Sequence, residues 1–407
     1  MRFKNLIFFI YLCFCVFIHK AFSQESLVLP PTQEVLIQNV KHLYPLFDSL
    51  YSLQKSQAKT VNILHIGDSH IQGNYMTDKI RNNFYSEFGI SGRGLSFPYK
   101  LVKIGSPSEL KTTSNYRFNS WRCIQPNYQS KVGILGVSLL NYYKYTQFKL
   151  NIPQEYEPFN YNTVKIMYTP INKGVRAVIK DGSAHNLPKI YSKQEKGYVV
   201  EVFKSPQTQN ELQVSFTSPS KYARCVLHGL HLSNTSQGGI CYNVAGINSS
   251  QYRHWSSSNL VTEQSKHLRP HLIIISLGTN DANDTSLNDS LFIYYVDKLV
   301  SNFKVNNPKA KFLLMAPPDS YYRKLYPNMR VGQISQLLSN YCNQKNIAFW
   351  NLQTAMGGTG SIKNWFELNV AASDLIHYSK TGYEIHGELF YQAFIKQYKE
   401  YVAHKYR

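Results

Sequence analysis

Val61-Asn62-Ile63-Leu64-His65-Ile66-Gly67-Asp68-Ser69-His70 is the stretch that decides the fold. A short apolar run is stopped by Gly-Asp-Ser, and a helical pattern begins at once. Ile71, Met76, Ile80, Phe84 and Phe88 share one helical face, and Gly89 is placed to end it. A run bounded this way reads as a buried strand, 61–66, of a parallel sheet. Such a turn lifts a serine hydroxyl to the carboxyl end of its strand, where open α/β sheets place their chemistry.

Upstream, Val35, Leu36, Val40, Leu43, Phe47, Leu50 and Leu53 recur at spacings near three and four. They predict an amphipathic helix over 33–56, kinked at Pro45. Downstream the α/β texture is interrupted. Between 99 and 235 helical periodicity gives way to short alternating segments, 164–168, 198–203 and 212–216, with a hairpin signal at Asp181-Gly182 but no clear partner strand for 177–180. This predicts an inserted all-β sandwich.

After 235 strand and helix alternate again. Strands are expected at 271–277, 312–316 and 347–352, and helices at about 287–305, 331–343 and 381–400. The expected architecture is α/β: a three-layer α/β/α parallel-sheet domain, 24–98 and 236–407, with the sandwich, 99–235, inserted into it.

Met1–Ser23 reads as a secretory signal: Arg2 and Lys4 begin it, Leu6–Ile18 is apolar, and Ala21-Phe22-Ser23 suits cleavage before Gln24. The run is shorter than the roughly 20 apolar residues of a membrane span, though an uncleaved anchor is the alternative. The expected location is therefore secreted or periplasmic, with no stable membrane span once the signal is gone. Cleavage would lower the net charge from +20 to +17, because three basic and no acidic residues leave. A basic excess of this size favours polyanionic surroundings or marks an ordinary basic secreted protein. No compact Lys/Arg cluster or binding motif points to nucleic acid. Cys13 and Cys15 would leave with the signal. Cys123, Cys225, Cys241 and Cys342 remain, equally compatible with disulfides and with buried thiols. Their spacing, with only His228 near Cys225, does not make a zinc site.

A serine nucleophile needs a base, usually histidine held in one tautomer by a carboxylate. Asp374-Leu375-Ile376-His377 supplies both within one turn, though a surface loop is the commoner meaning of DxxH. An oxyanion needs donors, each worth about 2.7–4 kcal/mol of barrier. The Ser69 amide, the Asn280 side chain after strand 271–277, and Gly246 in Asn243-Val244-Ala245-Gly246-Ile247-Asn248 are candidates, with Gly238-Gly239 a rival. Asp68 and Asp281 are read as supporting residues that shape their turns, and His65 and His70 as structural. Trp121, Tyr142, Tyr143 and Tyr145 could stack on sugars, although sandwich core is the commoner role. Gly92–Tyr99 lacks the features of a phosphate loop and reads as the lead-in to the insert. No Gly-x-Ser-x-Gly elbow surrounds Ser69, against the α/β-hydrolase fold.

Taken in order, Gly-Asp-Ser, the Gly/Asn turn, strand-Gly-Thr-Asn-Asp and DxxH resemble the SGNH (GDSL) hydrolase superfamily over 61–98 and 236–395. The resemblance implies Ser69 as nucleophile, His377 as base and Asp374 as its orienting acid, with an oxyanion hole of Ser69, Gly246 and Asn280. His70 stands where the family often has leucine, and the long gap from Ser69 to Gly246 fits an insertion. Gly-Asp-Ser-His with an inserted sandwich further resembles bacterial envelope carbohydrate esterases, peptidoglycan O-acetylesterases among them, whose insert is like a carbohydrate-binding module. The expected activity is O-acetyl ester hydrolysis on a glycan, most readily peptidoglycan, with no metal or cofactor. Acetylated xylan, lipid or aryl esters, acyl transfer, and non-catalytic glycan binding are the rivals. The sequence is silent on oligomeric state.

Overall fold

The computed structural model describes residues 30–56, 60–105, 107–144 and 146–406. The expected signal segment, Cys13, Cys15, Gln24 and Tyr145 lie outside them. Thr32–Arg407 form one compact unit.

Its centre is a five-stranded sheet made of β1 (Thr60–Gly67), β2 (Gly239–Gly246), β3 (Leu272–Ser276), β4 (Lys311–Met315) and β5 (Ala348–Trp350). Every pairing is parallel and the spatial order is β2-β1-β3-β4-β5. The sheet has apolar layers on both faces, and the strand period of two divides β1 between them. Val61 and Ile63 join one core and Leu64 and Ile66 the other. Helices α1 (Tyr44–Ser56), α2 (Ser69–Gln72) and α3 (Tyr75–Phe88) supply the first face through Phe47, Leu50, Ile71, Ile80 and Phe84. Helices α4 (Asp289–Asn306) and α5 (Met329–Lys345) cover the second with Phe292, Val296, Leu299, Ile334 and Leu338. The last helix, α6 (Lys380–Lys405), returns to the first face and sets Phe390 and Phe394 there. This is the three-layer arrangement expected from the alternating pattern.

The β-rich region holds two antiparallel sheets. One contains strands 119–122, 137–141, 225–233, 161–170, 198–209 and 189–195, with 94–96 added against 225–233, and the other contains 111–113, 147–151, 211–217 and 176–181. Tyr168 of the first meets Phe216 of the second edge-on, 5.3 Å between ring centres, within one shared core. Strand 177–180, left without a partner by the sequence, pairs with 211–217. That same core continues into the α4–α5 face of the parallel sheet.

Two helix expectations need correction. Residues 33–39 are not helical: Gln38 exchanges backbone hydrogen bonds with Phe349 at 2.8 and 3.1 Å, Trp350 Nε1 donates to Val35 O, and Asn39 turns left-handed at φ 52°. Pro45 therefore sits in the first turn of α1, where its missing N–H breaks no bond, and it makes no kink. The helix expected after Ser69 is two, because Asn74 turns left-handed at φ 63° between α2 and α3.

Tyr142 and Tyr143 are not sandwich core; they are 40% and 61% exposed. Trp121 is half-buried, stacked on Tyr128. Cys123, Cys225, Cys241 and Cys342 are all buried free thiols. His228 has both ring nitrogens occupied, by Ser138 and Thr169.

Candidate active site

The chain runs from β1 to β2 on one side and then crosses back over β1 to β3 on the other, so a crevice opens outside the carboxyl ends of these three strands. Ser69 follows β1, Gly246 closes β2, and Asn280 follows β3 by four residues. Asp68 caps the serine's turn. Its buried carboxylate accepts the His70 N–H at 3.0 Å, and burial pushes its pKa up to about 7 despite that bond.

The segment ahead of α6 comes over the same crevice. Asp374 Oδ1 accepts the N–H groups of Ile376 and His377, both at 2.9 Å, closing a tight turn on Leu375 at φ 55°. A leucine in the left-handed region is strained, which is common where a turn must aim side chains. Here it lets Asp374 Oδ2 meet His377 Nδ1 at 2.8 Å. Partial burial would raise the Asp374 carboxyl, but the hydrogen bonds from residues 376 and 377 outweigh it and hold it below the usual range. An ionised carboxylate can only accept, so Nδ1 carries the ring proton and Nε2 offers its lone pair. That lone pair lies 3.0 Å from Ser69 Oγ, across 308 residues of sequence. The His377 and Asp374 side chains are 39% and 40% exposed, so the site is open to a large substrate.

Asn280 Nδ2 gives one hydrogen to Ser250 O at 3.0 Å, leaving its second free. The adjoining loop turns at Ser249, φ 63°, and is tied to the end of β1 by Ile247 N and Ser250 Oγ, both donating to Gly67 O. Gly246 is explained by close approach: a Cβ there would lie 2.3 Å from the Gln72 amide nitrogen. Gly238-Gly239 is excluded as a donor, because Gly239 pairs with Thr60 at the opposite end of the sheet. Asp281 is buried and accepts the Tyr252 N–H at 3.2 Å; burial, with Asp68 nearby, pushes its carboxyl up to about 8.

His65 is a buried strut between Tyr242 OH at 2.8 Å and Ser276 Oγ at 2.7 Å. His70 is not only structural filling: its ring centre lies 5.3 Å from that of His377. Sequence reading missed Tyr383 and His386, which share that cluster. Their spacing of three from each other, on α6 just after His377, was the available signal.

Residues 223–385 match the GDSL-like lipase/acylhydrolase family. That match takes in β2 to β5 together with Gly246, Asn280, Asp374 and His377. The protein is a carboxylic ester hydrolase. A solved peptidoglycan O-acetylesterase shares its fold at TM-score 0.74 and 21% identity, over 88% of this chain and 96% of that one. A family two carbohydrate esterase from Clostridium thermocellum is also similar, at TM-score 0.29, 11% identity and 69% and 97% coverage, as is a family 3 carbohydrate esterase from Talaromyces cellulolyticus at 0.31, 16%, 39% and 72%. Neither superposes well enough to carry weight. No curated protein sequence matches the chain.

Proposed function

We propose that this GDSL/SGNH hydrolase is an exported serine esterase that removes O-acetyl groups from a glycan, with peptidoglycan as the substrate. The observation that carries the mechanism is the hydrogen-bonded line Ser69–His377–Asp374, 3.0 and 2.8 Å, at the carboxyl end of the parallel sheet. The apolar, lysine-flanked N-terminal segment supports export, and the open site with a net basic chain suits a polymeric, anionic substrate. The fold shared with a solved peptidoglycan O-acetylesterase adds support.

Ser69 Oγ would attack the acetyl carbonyl carbon while His377 Nε2 takes its proton. The Ser69 amide, the free Asn280 hydrogen and the Gly246 N–H would hold the oxyanion. As the carbon–sugar oxygen bond breaks, His377 returns the proton to the sugar hydroxyl, leaving acetyl-Ser69. Water then attacks, gives its proton to His377, and acetate leaves as Ser69 is reprotonated. Asp374 stabilises the imidazolium in both halves.

The test is acetate release from O-acetylated peptidoglycan and from acetylated xylan, with Ser69→Ala alongside. Preference for peptidoglycan, with a loss of more than about a thousandfold in Ser69→Ala at unchanged circular dichroism, supports the reading. Faster release from xylan, or preference for long acyl chains, would replace the substrate. Turnover by Ser69→Ala would remove the serine mechanism.

A further inference from the structure

Behind the site lies a buried group of rings that the ester-cleavage mechanism does not use: His70, Tyr378, Tyr383 and His386. His70 directly follows the nucleophile on α2 and is 5% exposed. Its Nδ1 lies 3.0 Å from Tyr383 OH on α6, and its ring packs on His377 with 35° between the planes. Tyr378, adjacent to His377, stands between Tyr383 at 5.7 Å and His386 at 4.3 Å. The chain thus closes a ring of contacts, Ser69 to His70 to Tyr383 to Tyr378 to His377 and back to Ser69.

From this geometry we infer that His70 and Tyr383 are positioning residues that set the Ser69–His377 hydrogen bond. That bond joins segments 308 residues apart, one of them an exposed turn, and so needs a second tie to hold its length. His70 Nδ1 to Tyr383 OH is such a tie, one residue beyond the serine and six beyond the histidine. The donor follows from the contacts. If the phenol O–H donates, one buried group is orphaned, the His70 Nε2 hydrogen; if the ring donates, the phenol hydrogen and the Nε2 lone pair are both orphaned. Tyr383 therefore donates, and His70 is fixed in its neutral Nε2-protonated form.

Neutrality matters because His377 becomes a cation during turnover, and a second cation packed on it would oppose that. The groups facing His70 are His377, Asp374, Tyr378, Tyr383, His386 and its own neighbour Asp68. Burial, reinforced by His377 and His386, keeps the ring from taking a proton well below the usual histidine range.

The inference rests on the serine-esterase reading, so Ser69→Ala accompanies the test. The substrate is p-nitrophenyl acetate, and second-order inactivation by a sulfonyl fluoride reports the reactivity of Ser69. Tyr383→Phe and His70→Leu are expected to lower kcat and the inactivation rate by about 10- to 100-fold while KM stays within about twofold. His70→Asn, whose amide oxygen replaces the Nδ1 acceptor, is expected to recover most of the loss. Wild-type kcat in Tyr383→Phe overturns the inference, as does a deficit in His70→Leu that tracks lowered thermal stability and is not recovered by asparagine. If Ser69→Ala keeps turning over, the esterase reading itself falls. If only Ser69→Ala is dead, the positioning role falls alone.

Discussion

The parallel sheet and the antiparallel region bury their strands in opposite ways. β3 is hidden on both faces, Leu272 through Ile275 in sequence, with Ser276 half-buried at its end. Strand 211–217 alternates strictly, buried at every second residue, and strand 189–195 is almost wholly exposed. The first pattern leaves nothing polar to display along the strand, so function moves to the strand ends, and all five ends point to one pole. The second displays one face along its whole length, so any function there is spread across a surface. Chemistry is concentrated in one region and distributed in the other.

The comparison can be broken hardest at the joint. Glu109 precedes strand 111–113 and is buried between Arg81 of α3 at 2.7 Å and Arg93 at 3.1 Å, and Arg93 also donates to Leu95 O. All three side chains are 2% exposed. The two guanidiniums overcome burial and hold the Glu109 carboxyl well below its usual range. Glu109→Ala strands the buried Arg93 cation and leaves Arg81 with Asp78 alone, 2.6 Å away, and should cost about 3–5 kcal/mol. Urea denaturation followed by hydrogen exchange would show it. The two regions share one core, so their amides should lose protection together; separate transitions would mean that they fold independently.

The two burial patterns also explain what could be read in advance. Continuous apolar runs ending in Gly-Asp-Ser or Gly-Thr-Asn-Asp are local signals, and β1, β3 and their turns were legible from them. The pairing of Asp374 with His377 was legible because one turn holds both. Residues 33–39 were misread because their apolar residues mimic a helical stripe, while what fixes them is pairing with Phe349, more than 300 residues away. Tyr383 acts through a contact of the same long range, with His70, and its residue type does not announce that role.

A smaller effect sharpens the contrast at the catalytic pole. Asp281 has a native pKa of about 8, raised by burial, against about 3.9 unfolded. Between these values the native state holds a proton that the unfolded state has lost, so this group's contribution favours folding at low pH and disappears as pH rises toward 8. Wild-type stability should carry a component falling by up to about 1.4 kcal/mol per pH unit between pH 5 and 7. Asp281→Asn keeps an acceptor for the Tyr252 N–H and should remove that component. Denaturation midpoints at pH 5, 6, 7 and 8 for both proteins decide it, and parallel slopes would refute it.

The smallest effect expected is on the sandwich surface. Trp121 and Tyr128 stack at 5.1 Å with planes 9° apart, and Lys131 lies 5.6 Å from each ring centre. This patch is not remote from the catalytic pole. Cys123 N donates to Gly136 O, and Gly136 sits against Ile247 and Trp255, immediately beyond the end of β2. A polymeric glycan bound at Ser69 can extend to other parts of the surface, whereas p-nitrophenyl acetate cannot. Trp121→Ala should therefore leave turnover of the small ester unchanged and raise KM for the acetylated glycan about three- to tenfold, the worth of one aromatic contact. An equal rise for both substrates would mean that the loop supports the site mechanically. No rise for either would leave the sandwich as scaffold, and the division between a chemical pole and a recognising surface would lose its second half.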